Sequence, residues 1–142
     1  MTYLDEVIVL MGRARNNLRE AARAPEVGLY RATIALAYYA AFYAAKAVVA
    51  YHRQGPKTHE GVSRQFHKLA VLESDFPSAV AGLLDEMQEE RLVADYDMSK
   101  ASDDWMEEEA LLAIDRATRF VDEVEGWLIR HLPPEARSNL PH

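Results

Sequence analysis

Apolar residues recur at three- and four-residue spacings along almost the whole of this 142-residue chain, the signature of helices with one buried face. Over residues 3–23, Leu4, Val7, Ile8, Leu10, Met11, Ala14 and Leu18 make one stripe, which Pro25 and Gly28 interrupt. Residues 29–52, LYRATIALAYYAAFYAAKAVVAYH, predict a helix with almost no polar face. Ile34, Tyr38, Phe42 and Val49 line one side and Tyr39 and Tyr43 another, with nine alanines between 32 and 50. Small side chains let neighbours approach closely, and a helix apolar nearly all round belongs at the centre of a bundle. Arg31, Lys46 and the tyrosines break the run that a membrane span of about 18 residues needs.

The Gly-Pro pair in RQGPKTHEG predicts a loop. A shorter helix at about 61–72 carries Val62, Phe66, Leu69 and Ala70, and ESDFPS ends it. The next helix starts near Pro77, a residue favoured in a first turn, and runs to about 95. DMSKASDD reads as a polar link, in which Asp104 and Glu107 have capping-box spacing. The last helix, 104–131, repeats Leu111, Ile114, Thr118, Val121, Glu125 and Leu128 and is roughly 40 Å long at ~1.5 Å per residue. Pro133-Pro134 stops it. The pattern contains no internal repeat and no strand, so the expected class is all-α: one domain over 1–132, then a flexible tail at 133–142.

Composition narrows the picture. Hydrophobic residues at 49% and charged residues at 27% fit a soluble globular protein. The chain has no cysteine, which removes disulfides, thiolate nucleophiles and thiolate metal sites. The opening MTYLDEV does not read as a secretory leader, so the default expectation is cytoplasmic. The net charge of −7 conceals an asymmetry: residues 1–70 hold ten Lys/Arg against five Asp/Glu, a balance of +5, and residues 71–142 hold six against eighteen, a balance of −12. Such a chain can present a basic face to phosphate while staying acidic overall, or its halves can pair with each other, within the fold or across a dimer.

The candidate chemistry lies in EERLVADYDM, residues 89–98. Counting about 100° per residue from Val80, Leu84 lies at about 40°, Met87 at about 340°, Arg91 at about 20° and Asp95 at about 60°. Arg91 therefore continues the buried stripe, and Asp95, one turn on, can reach it. A guanidinium aimed at a core must be paired; Asp95 can supply the partner and a tyrosine of 29–52 can add another. Such a pair either fixes helix register or serves a site. A second candidate is PKTHEGV, where Lys57, Thr58 and His59 precede a helix start and could hold an anion, unless Thr58 simply caps the helix. His52, His59, His67, His131 and His142 form no metal-ligand pattern, and no phosphate loop or nucleophile elbow is present. Neither metal nor cofactor is expected. Tyr38, Tyr39 and Tyr43 fit a core, and could stack on bases only if exposed.

AYYAAFYAAKAV (37–48), KTHEGV (57–62), RLVADY (91–96) and AIDRATRFVDEV (113–124) follow one another in a way that resembles the small stand-alone HEPN-domain proteins, over about residues 5–130. The resemblance implies an up-and-down bundle of four to five helices that dimerises, often encoded beside a minimal nucleotidyltransferase in toxin–antitoxin-like modules. It places Arg91 at the family's functional position. The family's metal-independent ribonucleases follow that arginine, after four to six residues, with a histidine; here those places hold Tyr96, Asp97 and Met98. Arg53 and His59 share the spacing but flank Gly55-Pro56. Three readings stand: a nucleotide- or RNA-binding protein using Arg91, Lys57 and His59, with Asp95 orienting Arg91 and a nucleotidyltransferase partner; an endoribonuclease with Tyr96 or His59 in place of the missing group; or a non-catalytic homodimeric scaffold.

Overall fold

The computed structural model describes residues 2–97 and 103–141. Its helices are α1 (Tyr3–Arg23), α2 (Tyr30–Tyr51), α3 (His59–Phe66), α4 (Ser78–Tyr96), α5 (Asp103–His131) and a single turn, α6 (Pro134–Arg137). No strand occurs among the described residues, and the all-α bundle expected from the periodicity is the fold.

Local chemistry sets the first reversal. Thr2 and Asp5 form a reciprocal capping box at the start of α1. A 3-10 turn, Ala24–Val27, follows, and Gly28 then takes φ 75°, where a β-carbon would be strained. The chain turns back within a few residues and lays α2 against α1. The alanines of α2 do what their size permits: Ala37, Ala40, Ala41, Ala44, Ala45 and Ala47 are fully buried, and α1, α3, α4 and α5 all pack on this helix. From α5, Phe120, Val121, Val124, Trp127 and Leu128 close the core. Phe66 and Phe76, which bracket the α3–α4 connection, pack edge-on at 5.0 Å.

By length and composition α2 could cross a membrane, contrary to the sequence-based count, and 67% of its apolar window is covered by the other helices. That coverage is the property of a central bundle helix.

Three boundaries differ from the sequence reading. α3 starts earlier, at His59, and continues as a π-helical turn over His67–Leu72. α5 already contains Asp104, so Asp104 and Glu107 do not form its cap; Asp104 instead sits in the first turn, where a carboxylate meets the positive end of the helix. Most of the expected polar link, residues 98–102, lies outside the described residues. The segment after Pro133, expected as a frayed tail, makes the turn α6 and buries Ala136 and Leu140. Two apolar residues four apart give that turn a face to bury, and Arg137 donates to the Leu132 carbonyl at 3.2 Å.

Candidate functional site

The stripe Val80, Leu84 and Met87 of α4 is buried against α2, and Arg91 extends it toward the C-terminal end of the helix. The Arg91 side chain is 16% exposed. Its Nη1 donates to Asp95 Oδ2 at 3.3 Å and its Nε to Gln88 Oε1 at 3.0 Å. The guanidinium carbon lies 5.3 Å from the Tyr38 ring centre and 5.6 Å from that of Tyr39, so two aromatic faces share the cation. Asp95 is 28% exposed, which makes this a half-buried pair at a mouth. The helix-wheel reading of Arg91 and Asp95 is borne out. The tyrosines contribute ring faces rather than the expected hydroxyl acceptor.

The Tyr38 hydroxyl goes elsewhere, 2.9 Å from Nδ1 of His59. Thr58 caps α3 by accepting from the Gly61 amide at 2.9 Å, and this fixes the first turn so that His59 points inward. The imidazole stacks on Phe42 at 4.3 Å and 21° and lies nearly parallel to Tyr38 at 5.8 Å. Burial pushes the Tyr38 phenol up to about 12, with Arg91 pulling weakly the other way, so the phenol keeps its proton. Tyr38 is 2% exposed, and a buried hydroxyl is best satisfied by donating. We assign the donor role to Tyr38, which makes Nδ1 the acceptor and leaves the imidazole proton on Nε2. Burial first, then the charges of Arg91 and Lys46, hold the His59 pKa below its usual range. At neutral pH the ring is neutral.

Arg91 and His59 thus meet on one side chain, Tyr38, although they come from different helices. The partners of Arg91 line three clefts. Gln88 and Tyr38 line a cleft of 430 Å³ between α3 and α4, with His59, Ser63, Arg64 and His67; Ser63 donates to Asp85 across it at 2.7 Å. Asp95 lines a second cleft of 470 Å³, beside Leu29 and Met106. Tyr39 lines a third of 470 Å³ between α1 and α2. The guanidinium offers five N–H donors, and among the described residues its Nη2 has no hydrogen bond.

The other sequence candidates fall away from this centre. Tyr96 is 77% exposed at the end of α4; five residues on from Arg91 it lies about 140° around the helix, on the outer side. Lys57 is exposed in the loop. Arg53 lies over the ring of Tyr3 at 4.2 Å, so its spacing to His59 has no structural counterpart. Among the described residues no three His, Asp or Glu side chains gather as a metal site. Tyr38 as the junction and Gln88 as a partner were the residues missed. Gln88 was legible, three residues before Arg91 on the same helix; the meeting of Tyr38 with His59 is a tertiary contact that no spacing encodes.

A family model described as the HEPN domain matches residues 8–127. A protein of Methanocaldococcus jannaschii named "Putative toxin" is 34% identical over 124 residues, covering 87% of this chain and 90% of its own length. A second protein of that organism with the same kind of name is 25% identical over 129 residues, 91% of this chain and 86% of its own. A "UPF0332 protein" of Archaeoglobus fulgidus is 36% identical over 58 residues, 41% of this chain and 46% of its own.

Proposed function

This chain belongs to the HEPN domain family, and on that premise we propose that it is a toxin-like, RNA- or nucleotide-binding protein whose anion site is built by Arg91 and His59 around Tyr38. The observation that carries the reading is the partly buried guanidinium whose Nη2 has no hydrogen bond among the described residues and whose partners line three clefts. A phosphate oxygen is the natural acceptor for such a group. His59 adds a neutral Nε2–H donor, and a bound phosphate would favour its protonation. Asp95 orients Arg91 and is itself accessible, so an anion can compete for the cation without opening the core. The names carried by the relatives from Methanocaldococcus jannaschii support the toxin part of the reading. We further propose that the protein acts as a homodimer in the cytoplasm, with a nucleotidyltransferase-domain protein as its partner.

One observation favours a second reading, a metal-independent endoribonuclease. His59 of α3 shares Tyr38 with Arg91, and in this reading it stands in for the imidazole absent after Arg91. Its depressed pKa makes it a group that is neutral at rest and able to take a proton. Its Nδ1, however, is occupied by Tyr38, so base catalysis would have to release that bond, and binding is the better-supported function. Titration of labelled single-stranded RNA tests the reading. Arg91→Ala is expected to weaken binding roughly ten- to hundredfold, the loss of about 1.5–3 kcal/mol from one charged hydrogen bond. Equal affinity in parent and variant would remove the site assignment.

A further inference from the structure

Tyr39, whose ring Arg91 covers, also lines the cleft between α1 and α2. Tyr39 and Tyr43, one turn apart on α2, present their rings 6.5 Å apart at 37° and line this cleft together with Arg13, Asn16, Asn17 and Glu20. A cation stands at each end of the pair. Arg91 covers Tyr39 at 5.6 Å and Arg13 covers Tyr43 at 5.7 Å. Both tyrosines are only partly buried, which meets the condition that a stacking platform be reachable. Apart from Arg91, the side chains named here belong to residues 1–70, the half of the chain with a balance of +5.

We propose that the α1–α2 cleft is the track of a single-stranded RNA that continues from the Arg91–His59 site, with bases stacking on Tyr39 and Tyr43 and Arg13 holding the next phosphate. This rests on the anion site proposed above and extends it from one nucleotide to a strand. Aromatic faces with flanking arginines bind bases of any identity, because every base has a π-face. Asn16 and Asn17 can donate to sugar or base edges, while Glu20 repels phosphate at the far rim and sets the direction in which the backbone leaves. A chain of this design discriminates strand length far more than sequence.

The experiment compares fluorescein-labelled three-nucleotide and ten-nucleotide RNAs on the intact protein. The parent is expected to bind the longer strand at least about tenfold more tightly, the contribution of one stacked base or more. Tyr43→Leu keeps the apolar bulk against the core and is expected to erase most of that gain, as is Arg13→Gln; Tyr43→Phe, which keeps the ring, is expected to retain it. Arg91→Ala should weaken both strands. Photo-crosslinking of 4-thiouridine in the ten-nucleotide RNA should reach Tyr43 or Asn17. If Tyr43→Leu and Arg13→Gln leave the gain intact while Arg91→Ala abolishes binding, the track is wrong and the anion site survives. If Arg91→Ala binds both strands as the parent does, the anion site itself fails, and the track with it. If Tyr43→Leu converts a dimer into a monomer on light scattering without crosslinks in the parent, the cleft faces a second copy and the inference is overturned.

Discussion

A single tyrosine joins the two halves of the site. Tyr38 presents its ring to Arg91 and its hydroxyl to His59, so its removal disconnects both. Tyr38→Phe keeps the ring face and the packing but leaves Nδ1 of His59 without a donor. The variant is expected to retain Arg91-dependent binding while the His59 titration moves, readable in histidine side-chain NMR. In the parent the His59 midpoint lies below 6.5, because burial and the nearby Arg91 and Lys46 disfavour the imidazolium. A depressed folded value means that the unfolded chain binds the proton more tightly, so stability is full above pH 6.5 and is lost as pH falls through the folded midpoint. Saturating RNA should move the midpoint upward. A midpoint at or above 6.5 in the free protein would show that the ring is solvated and the stacked arrangement wrong. Asp95→Ala is expected to cost only about 1 kcal/mol in thermal or chemical unfolding, not the several of a sealed pair, since Asp95 is partly exposed and Arg91 keeps Gln88 and two ring faces.

Helix ends and helix contacts place those residues. The Thr58 cap fixes the start of α3 and thereby the direction of His59. Thr58→Ala is expected to lower stability by about 1 kcal/mol, the usual worth of an N-cap, and to weaken RNA binding as His59 loosens. Gly61→Ala should act the same way, because its β-carbon would stand 2.9 Å from the Thr58 oxygen and 3.1 Å from Pro56 Cβ, although the better helix propensity of alanine offsets part of the loss. Between α4 and α5 the acidic half of the chain crowds itself. Burial, then the charge and hydrogen bond of Glu109, raise the Glu90 pKa above 4.5, with Arg116 opposing. A raised carboxyl contributes stability that is present below pH 4.5 and lost as pH rises through the folded value. Glu90→Gln should therefore raise the melting temperature at neutral pH and flatten its dependence above pH 4.5; an unchanged pH profile would mean that the carboxyl is solvated. These elements were largely legible. The stripe of α4 located Arg91 and Asp95 because angular position on a helix follows from spacing alone. The caps were half legible: Thr58 acts as its residue type suggests, whereas Asp104 was overtaken by a helix already under way.

At the scale of the molecule, the central place of α2 could be read from its lack of a polar face, but its neighbours could not. That α3 would lay His59 on Phe42 and Tyr38, and thus beside Arg91, depends on the path of a loop and the packing of three helices. Tyr96, which the family spacing singles out, is exposed at the end of α4. The charge asymmetry resolves partly within the fold. Arg15 of α1 reaches Asp122 at 2.9 Å and Glu125 at 2.5 Å on α5, while Arg116 pairs with Glu86 and Glu109 inside the acidic half. Arg13 lines the α1–α2 cleft and Arg64 the α3–α4 cleft, and the charge of Lys46 acts on His59. A homodimer that joins two copies near Arg91 and His59 is expected by light scattering at tens of micromolar protein, and added RNA should stabilise it; a monomer under those conditions would count against the assembly. The central claim is that Arg91 and His59 form one site, and a double-mutant cycle on single-stranded RNA tests it most directly. Arg91→Ala, His59→Ala and the double variant should lose affinity non-additively, with the double variant little weaker than Arg91→Ala alone; losses that simply add, or parent-like affinity in either single variant, would contradict it.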